Sequence, residues 1–211
     1  LLTNADLSQY DNLVSGNSKV FHDVDAGNDL TVCNVSGCSD ARLLIKLGTT
    51  YRPDSASSGS VTTPHIQIDG ALVADGNTIY VSRSWKNNAT FDKGSSLVVF
   101  TATSSTETID SSYATSSAFF MVTFGQTSGA ARWDLSSPLV ASSTMTLSYG
   151  TLAPGATSTI SLAGDLSIGV SGVFSKSVAS TTFIGSGSST WTDNSSAKQD
   201  MGELFVDGSS K

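Results

Sequence analysis

The strongest constraint in this chain is its alternation of apolar and polar residues. Met145, Leu147 and Tyr149 are separated by Thr146 and Ser148. Ile160 and Leu162, then Leu166, Ile168 and Val170, alternate with Ser and Gly. A period of two sends successive side chains to opposite sides of the backbone, so these runs dictate half-buried strands. Further strand candidates are Ala41–Leu47, Ile66–Ile68, Thr78–Ser82, Leu97–Thr103, Ala118–Phe124 and Glu203–Val206. Asp69-Gly70 separates Ile66-Gln67-Ile68 from Ala71-Leu72-Val73, and Asp75-Gly76-Asn77 precedes Ile79-Tyr80-Val81. Asp-Gly between alternating runs is the strongest short-range hairpin signal, and two in succession predict an antiparallel meander.

Helical spacing is confined to Leu7, Tyr10, Leu13 and Val14, enough for one short N-terminal helix. The alternation of strands with helices that a parallel α/β sheet needs is missing, so doubly wound and TIM-barrel folds fall away. The expected fold is all-β: an antiparallel β-sandwich of Ig-like or jelly-roll type, with a barrel as the alternative. Residues 1–14 read as an N-terminal extension or short helix and a candidate assembly segment. Residues 15–211 read as one enlarged sandwich, the alternative being two small sandwiches divided near 111–117, one of several Ser/Gly-rich loop candidates. No internal repeat of fixed period is found.

Composition narrows the function classes. Of 211 residues, 38% are hydrophobic and 14% charged, against about 25% charged in an average soluble domain. The chain has 39 Ser and 24 Thr. Its repeated strand-like runs exclude a disordered chain. A net charge of −7 with only 11 Lys and Arg argues against a nucleic-acid or anionic-membrane partner. No apolar run is long enough for a transmembrane helix. A start at Leu1 without an initiator Met suggests a processed mature protein or an excised domain.

Cys33 and Cys38 bracket Asn34-Val35-Ser36-Gly37. That spacing suits a disulfide closing a tight turn between strands, a local staple; two free buried thiols are the alternative. With the Ser/Thr richness it points to an extracellular or cell-surface protein. Sequons at Asn34, Asn88 and Asn194 are compatible with glycosylation, but roughly three arise by chance in so hydroxyl-rich a chain.

Candidate chemistry is sparse. No G-x-S-x-G elbow is present, and His22 and His65 suit structural positions better than a catalytic triad. A glycosidase pair of carboxylates across a cleft cannot be read from spacing, so catalysis is not expected. Asp23, Asp25 and Asp29 sit in the densest oxygen-ligand run, which resembles the opening of a calcium loop, although Gly27 falls one position early and no closing Glu follows. A polar turn is the alternative, and no other cofactor is indicated. Trp85, Trp133 and Trp191 could stack on sugars, but their scatter favours core packing or a partner interface. Outward Ser and Thr rows suggest an ice-binding array, which would need a repeat of fixed spacing.

Residues Leu135 to Thr192 carry only Asp165 and Lys176 as charges, whereas solitary soluble domains spread charge over their surface. The phrase Leu152-Ala153-Pro154-Gly155-Ala156-Thr157, followed by alternating Ile160 and Leu162, is similar to the turn and strand of many secreted sandwich domains. At class level the chain resembles the β-sandwich subunits of extracellular filaments and surface layers, such as archaeal pilus or thread proteins and TasA-like matrix fibres. The resemblance implies a structural subunit that polymerises with copies of itself by β-strand complementation. The long apolar N-terminal helix of type IV pilins is not found in the sequence. A carbohydrate- or calcium-binding sandwich module of a larger surface protein or viral fibre, with surface glycans as partners, is the other expectation.

Overall fold

Alternation places one side chain in two against a core, but leaves open which strand lies beside which. In the computed structural model, which describes residues 12–14, 20–23, 29–32, 39–54, 59–111, 118–126, 128–156, 158–175 and 180–207, every strand pairing is parallel, isolated bridges included. The chain is a β-solenoid of about seven turns.

The first turns run β1 (Asn12–Val14), β2 (Val20–Asp23), β3 (Asp29–Thr31), then β4 (Arg42–Ile45), β5 (Thr50–Asp54), β6 (Ser60–Thr63). The next are β7 (His65–Ile68), β8 (Ala71–Val73), β9 (Thr78–Val81), then β10 (Trp85–Asn87), β11 (Thr90–Asp92), β12 (Leu97–Phe100). They continue with β13 (Thr106–Asp110), β14 (Met121–Phe124), β15 (Arg132–Leu135), β16 (Leu139–Ala141) and β17 (Met145–Pro154). The last are β18 (Ile160–Leu162), β19 (Leu166–Phe174), β20 (Ser180–Phe183), β21 (Trp191–Asp193) and β22 (Glu203–Val206).

Strands three apart in the early turns stack in register, which gives the solenoid three faces. Face 1 holds β1, β4, β7, β10, β13 and β15; face 2 holds β2, β5, β8 and β11, then β16, β18, β20 and β22; face 3 holds β3, β6, β9, β12, β14 and β21. Faces 1 and 3 fuse in the later turns. The first part of β17 pairs with β14 and its second part with β15, so one continuous strand rounds the corner. Gly150, at φ 77°, makes that passage. A Cβ there would lie 2.5 Å from the Ala131 carbonyl oxygen, and only glycine adopts this conformation without strain.

The core is a set of ladders running through the stack. On face 3, Leu30, Val61, Ile79, Val98, Val122, Met145 and Leu166 lie one above the next, all buried. At mid-length the ladders are aromatic. Trp85 meets Phe91 edge-on at 5.0 Å, Phe100 stacks on Phe124 at 4.9 Å, and Phe124 meets Trp133 at 5.5 Å. Corners are tied by side chains. Buried Asn77 donates from Nδ2 to the Ala74 carbonyl and accepts the Gly59 N–H at Oδ1, each at 3.0 Å. The bond from Gly59 satisfies a backbone N–H at the corner, and the Ala74 carbonyl also accepts the Asn77 backbone N–H at 3.0 Å.

Two expectations are corrected. The antiparallel sandwich fails because Asp69-Gly70 is a corner: β7 belongs to the large sheet and β8 to another, so the flanking strands do not pair. Gly70 serves close stacking there, since a Cβ would sit 2.2 Å from the Lys46 carbonyl oxygen of the turn below. The N-terminal helical spacing is also misleading, because Leu13 and Val14 lie in β1, paired in parallel with β4; residues 1–11 lie outside the described part. No helix occurs among the described residues.

Candidate functional site

The faces differ in charge. Strands β6, β9, β12 and β14 on face 3 contain no Asp, Glu, Lys, Arg or His, whereas face 1 carries Arg42, His65, Lys86, Glu107, Asp110, Arg132 and Asp134. Face 1 therefore holds the polar site. Register sets Arg42 of β4 beside His65 of β7, and Gln67 of β7 beside Lys86 of β10. These positions alternate with buried Leu43, Ile66 and Trp85, so the side chains stand on the outside of three adjacent strands. A shallow groove runs between them, lined also by Asp40 and Ser84.

A hydrogen-bonded chain fixes the groove. Arg42 donates from Nη1 to Gln67 Oε1 at 3.0 Å, Gln67 Nε2 donates to Asp69 Oδ2 at 2.8 Å, and Asn88 Nδ2 donates to Asp69 Oδ1 at 2.6 Å. Lys86 is exposed, and among the described residues its ammonium makes no hydrogen bond or ion pair. At the groove's edge the Ser84 backbone N–H donates to His65 Nδ1 at 3.3 Å. Burial pulls the His65 pKa below its usual value, against the opposing pull of Glu107. The neutral ring, with Nδ1 accepting, carries its hydrogen on Nε2.

Glu107 is the unusual member. It is only 4% exposed and occupies an inward register position that Trp133, Leu152 and Phe174 fill in later turns. A charge buried there is costly unless paired and hydrogen-bonded. Arg83 Nη1 meets its Oε1 at 3.1 Å, and Ser84 Oγ donates to its Oε2 at 3.0 Å. Ser84, His65 and Glu107 do not form a Ser–His–acid relay. The hydroxyl is turned to the carboxylate, and the imidazole is held by the backbone N–H.

A second site is the C-terminal end of the stack. The face 3 ladder passes from Leu166 to Trp191, which is 39% exposed. On face 2, the ladder Leu139, Ile160, Thr181 ends at Leu204, and Ala141, Leu162, Phe183 ends at Val206. Leu204 is 43% and Val206 63% exposed. With Gly185 and Ser189 these residues line an open apolar groove. Strand β22 pairs only with β20 and β21 only with β19 among the described residues, so each presents an unpaired strand edge.

The residues singled out in the sequence disperse. Cys33, Cys38, Asn34 and Asp25 lie outside the described part. Asp23 ends β2 and Asp29 opens β3. Among the described residues, no group of three or more His, Cys, Asp and Glu gathers into a cation site. Asn88 and Asn194 are exposed. Trp85 and Trp133 are core, while Trp191 is at the open end. His22 falls in β2, apart from the groove. The groove residues Arg42, Gln67, Ser84, Lys86 and Glu107 were not foreseen. One signal was present: Glu107 shares its strand phase with Ile109, placing a carboxylate where the pattern demands an apolar residue.

Comparison with protein-family models, curated proteins and solved structures finds no match to the chain. No helix among the described residues is long and apolar enough to cross a membrane.

Proposed function

We propose that this chain is a structural subunit of an extracellular assembly, joined to further copies through the end of its solenoid. The single observation that carries the reading is the end of three core ladders in the exposed residues Trp191, Leu204 and Val206 beside unpaired strand edges. A strand edge with open N–H and C=O groups is a template for another chain. Added strands gain affinity from backbone pairing and specificity from the pockets between ladders. Only Glu203 among the four residues of β22 is charged, so edge protection by charge is slight. The low charge between Leu135 and Thr192 supports the same reading.

Sedimentation velocity of the chain across a hundredfold concentration range tests this. The expected result is concentration-dependent association, abolished by Leu204→Lys with Val206→Lys. Added salt leaves it intact, because little of the contact is ionic. A wild-type chain that stays monomeric throughout refutes the reading.

A further inference from the structure

We propose that β22 pairs with β22 of a second copy, antiparallel about a two-fold axis at Phe205, so that the open end closes in a pair. The proposal rests on the self-association reading and names the partner surface, its direction and its limit. The three faces end differently. Face 1 ends at the second part of β19, where the Ser175 N–H bonds the Leu152 carbonyl of the layer before. Backbone groups alternate sides along a strand, so the Phe174 N–H points to the open side. Gln199 fills that place, its Oε1 accepting the Phe174 N–H at 2.7 Å. On face 3 the Asn194 N–H bonds the Ile168 carbonyl, which turns the Asp193 carbonyl outward. Lys198 Nζ donates to it. Both plugs come from one short turn, which the Asp193 carboxylate holds by accepting the Ser195 and Gln199 N–H groups, each at 3.0 Å. A strand added on face 1 or face 3 has to displace that turn.

Face 2 has no such plug. The Asp207 N–H bonds the Phe183 carbonyl at 2.9 Å, so Glu203 and Phe205 turn their backbone groups to β20. Leu204 and Val206 turn theirs outward, and among the described residues nothing meets them. Phe205, on the outer side of the same strand, is 50% exposed, so β22 is apolar on both sides, as strands covered on both sides are. The other end of the stack does not offer the complement. Strand β3 pairs only with β6 among the described residues, yet Leu30 is 2% and Val32 0% exposed. The face 3 column starts closed at Leu30 and ends open at Trp191. Two like ends therefore meet, and identical strands meet on a two-fold axis. With Phe205 on the axis, Leu204 faces Val206 of the second copy, and every outward N–H and C=O of both residues is used. Phe205 faces its own counterpart, about 4.5 Å away at Cα as in a non-hydrogen-bonded antiparallel pair. Glu203 falls opposite Asp207 of the second copy. That like-charge pair weakens the contact and gives the arrangement its signature.

The full chain tests this in two ways. Phe205→Cys, oxidised with glutathione disulfide, is expected to give a covalent dimer, with the wild-type chain as the background for Cys33 and Cys38. Sedimentation of the wild-type chain should level off at twice the monomer mass. Glu203→Lys, which turns both like-charge pairs into ion pairs, should tighten the dimer about fivefold. Adding Asp207→Lys should cancel that gain, whereas a simple effect of net charge would increase it. Species larger than a dimer at the plateau, no crosslink through Cys at 205 in a chain that self-associates, or a double variant tighter than Glu203→Lys overturns the two-fold pairing and leaves the self-association reading standing. A wild-type chain that stays monomeric throughout overturns both.

Discussion

The middle turns and the last turn obey one stacking rule with opposite results. Between β10 and β15 the inward residues of faces 1 and 3 have strand neighbours above and below, and Trp85, Phe100, Phe119, Phe124 and Trp133 are buried to 1% exposure or less. In β21 and β22 the same ladders continue, but the inward residues have a neighbour on one side only. Trp191 belongs to a column whose earlier members are almost wholly buried, so its exposure follows from position in the stack. In a solenoid, stability is approximately a sum of unit and neighbour terms. An end unit therefore lacks one of the interfaces that every middle unit has. What the last turn lacks, a further layer of strands would supply.

The sharpest contrast is between equal losses at the two places. Trp133→Ala opens a cavity among stacked ladders and is expected to cost about 3–5 kcal/mol, read by chemical denaturation. Trp191→Ala, at the open end, should cost well under half as much in the monomer. Equal losses would break the comparison. Next in size is Gly150→Ala at the corner of β17, where a positive φ and a backbone oxygen 2.5 Å from the added carbon combine. About 2 kcal/mol or more is expected from the conformational penalty and the clash together. Asn77→Ala, which leaves the Gly59 N–H without its corner partner while the Ala74 carbonyl keeps the backbone N–H of residue 77, should cost about 1–2 kcal/mol.

These sites also mark what could be read without a structure. Strand positions were legible, because alternation reports burial on one side whatever the partner strand. Residues expected in strands, such as Ile66, Ile79 and Glu203–Val206, are in strands. Pairing direction was not legible. Asp69-Gly70 announces a reversal of the chain, and a hairpin and a solenoid corner need the same local chemistry. The repeat was hidden by its uneven length. Ile66, Trp85, Ile109 and Leu135 occupy successive positions of one ladder at steps of 19, 24 and 26 residues, so spatial order coexists with sequence irregularity absorbed in the corners. The same unevenness hid the face 1 groove, whose members come from three turns. Only Glu107 signalled it locally.

The smallest expected effect separates the groove from the core by pH. Burial lowers the His65 pKa from 6.5, so the unfolded chain takes up a proton before the folded one. The neutral ring's contribution is complete above pH 6.5 and is lost as pH falls from there through the lowered folded value. The thermal midpoint should drop between pH 7.5 and 5.5, and His65→Gln should remove part of that drop. Asp193 shifts in the same direction, chiefly through the Ser195 hydroxyl, but titrates below 3.8 and leaves this window untouched. A pH slope unchanged by His65→Gln would contradict the burial argument.

Hydrogen exchange at β22 tests most directly whether the open end is an association surface. Amides of Glu203 to Val206 are to be followed in the same chain at low and at high concentration, with β12 as the internal reference. Backbone pairing with a second copy predicts protection in β22 that rises with concentration while that of Leu97–Phe100 stays constant. Fast exchange in β22 at every concentration, in step with an unchanging monomer, would contradict it.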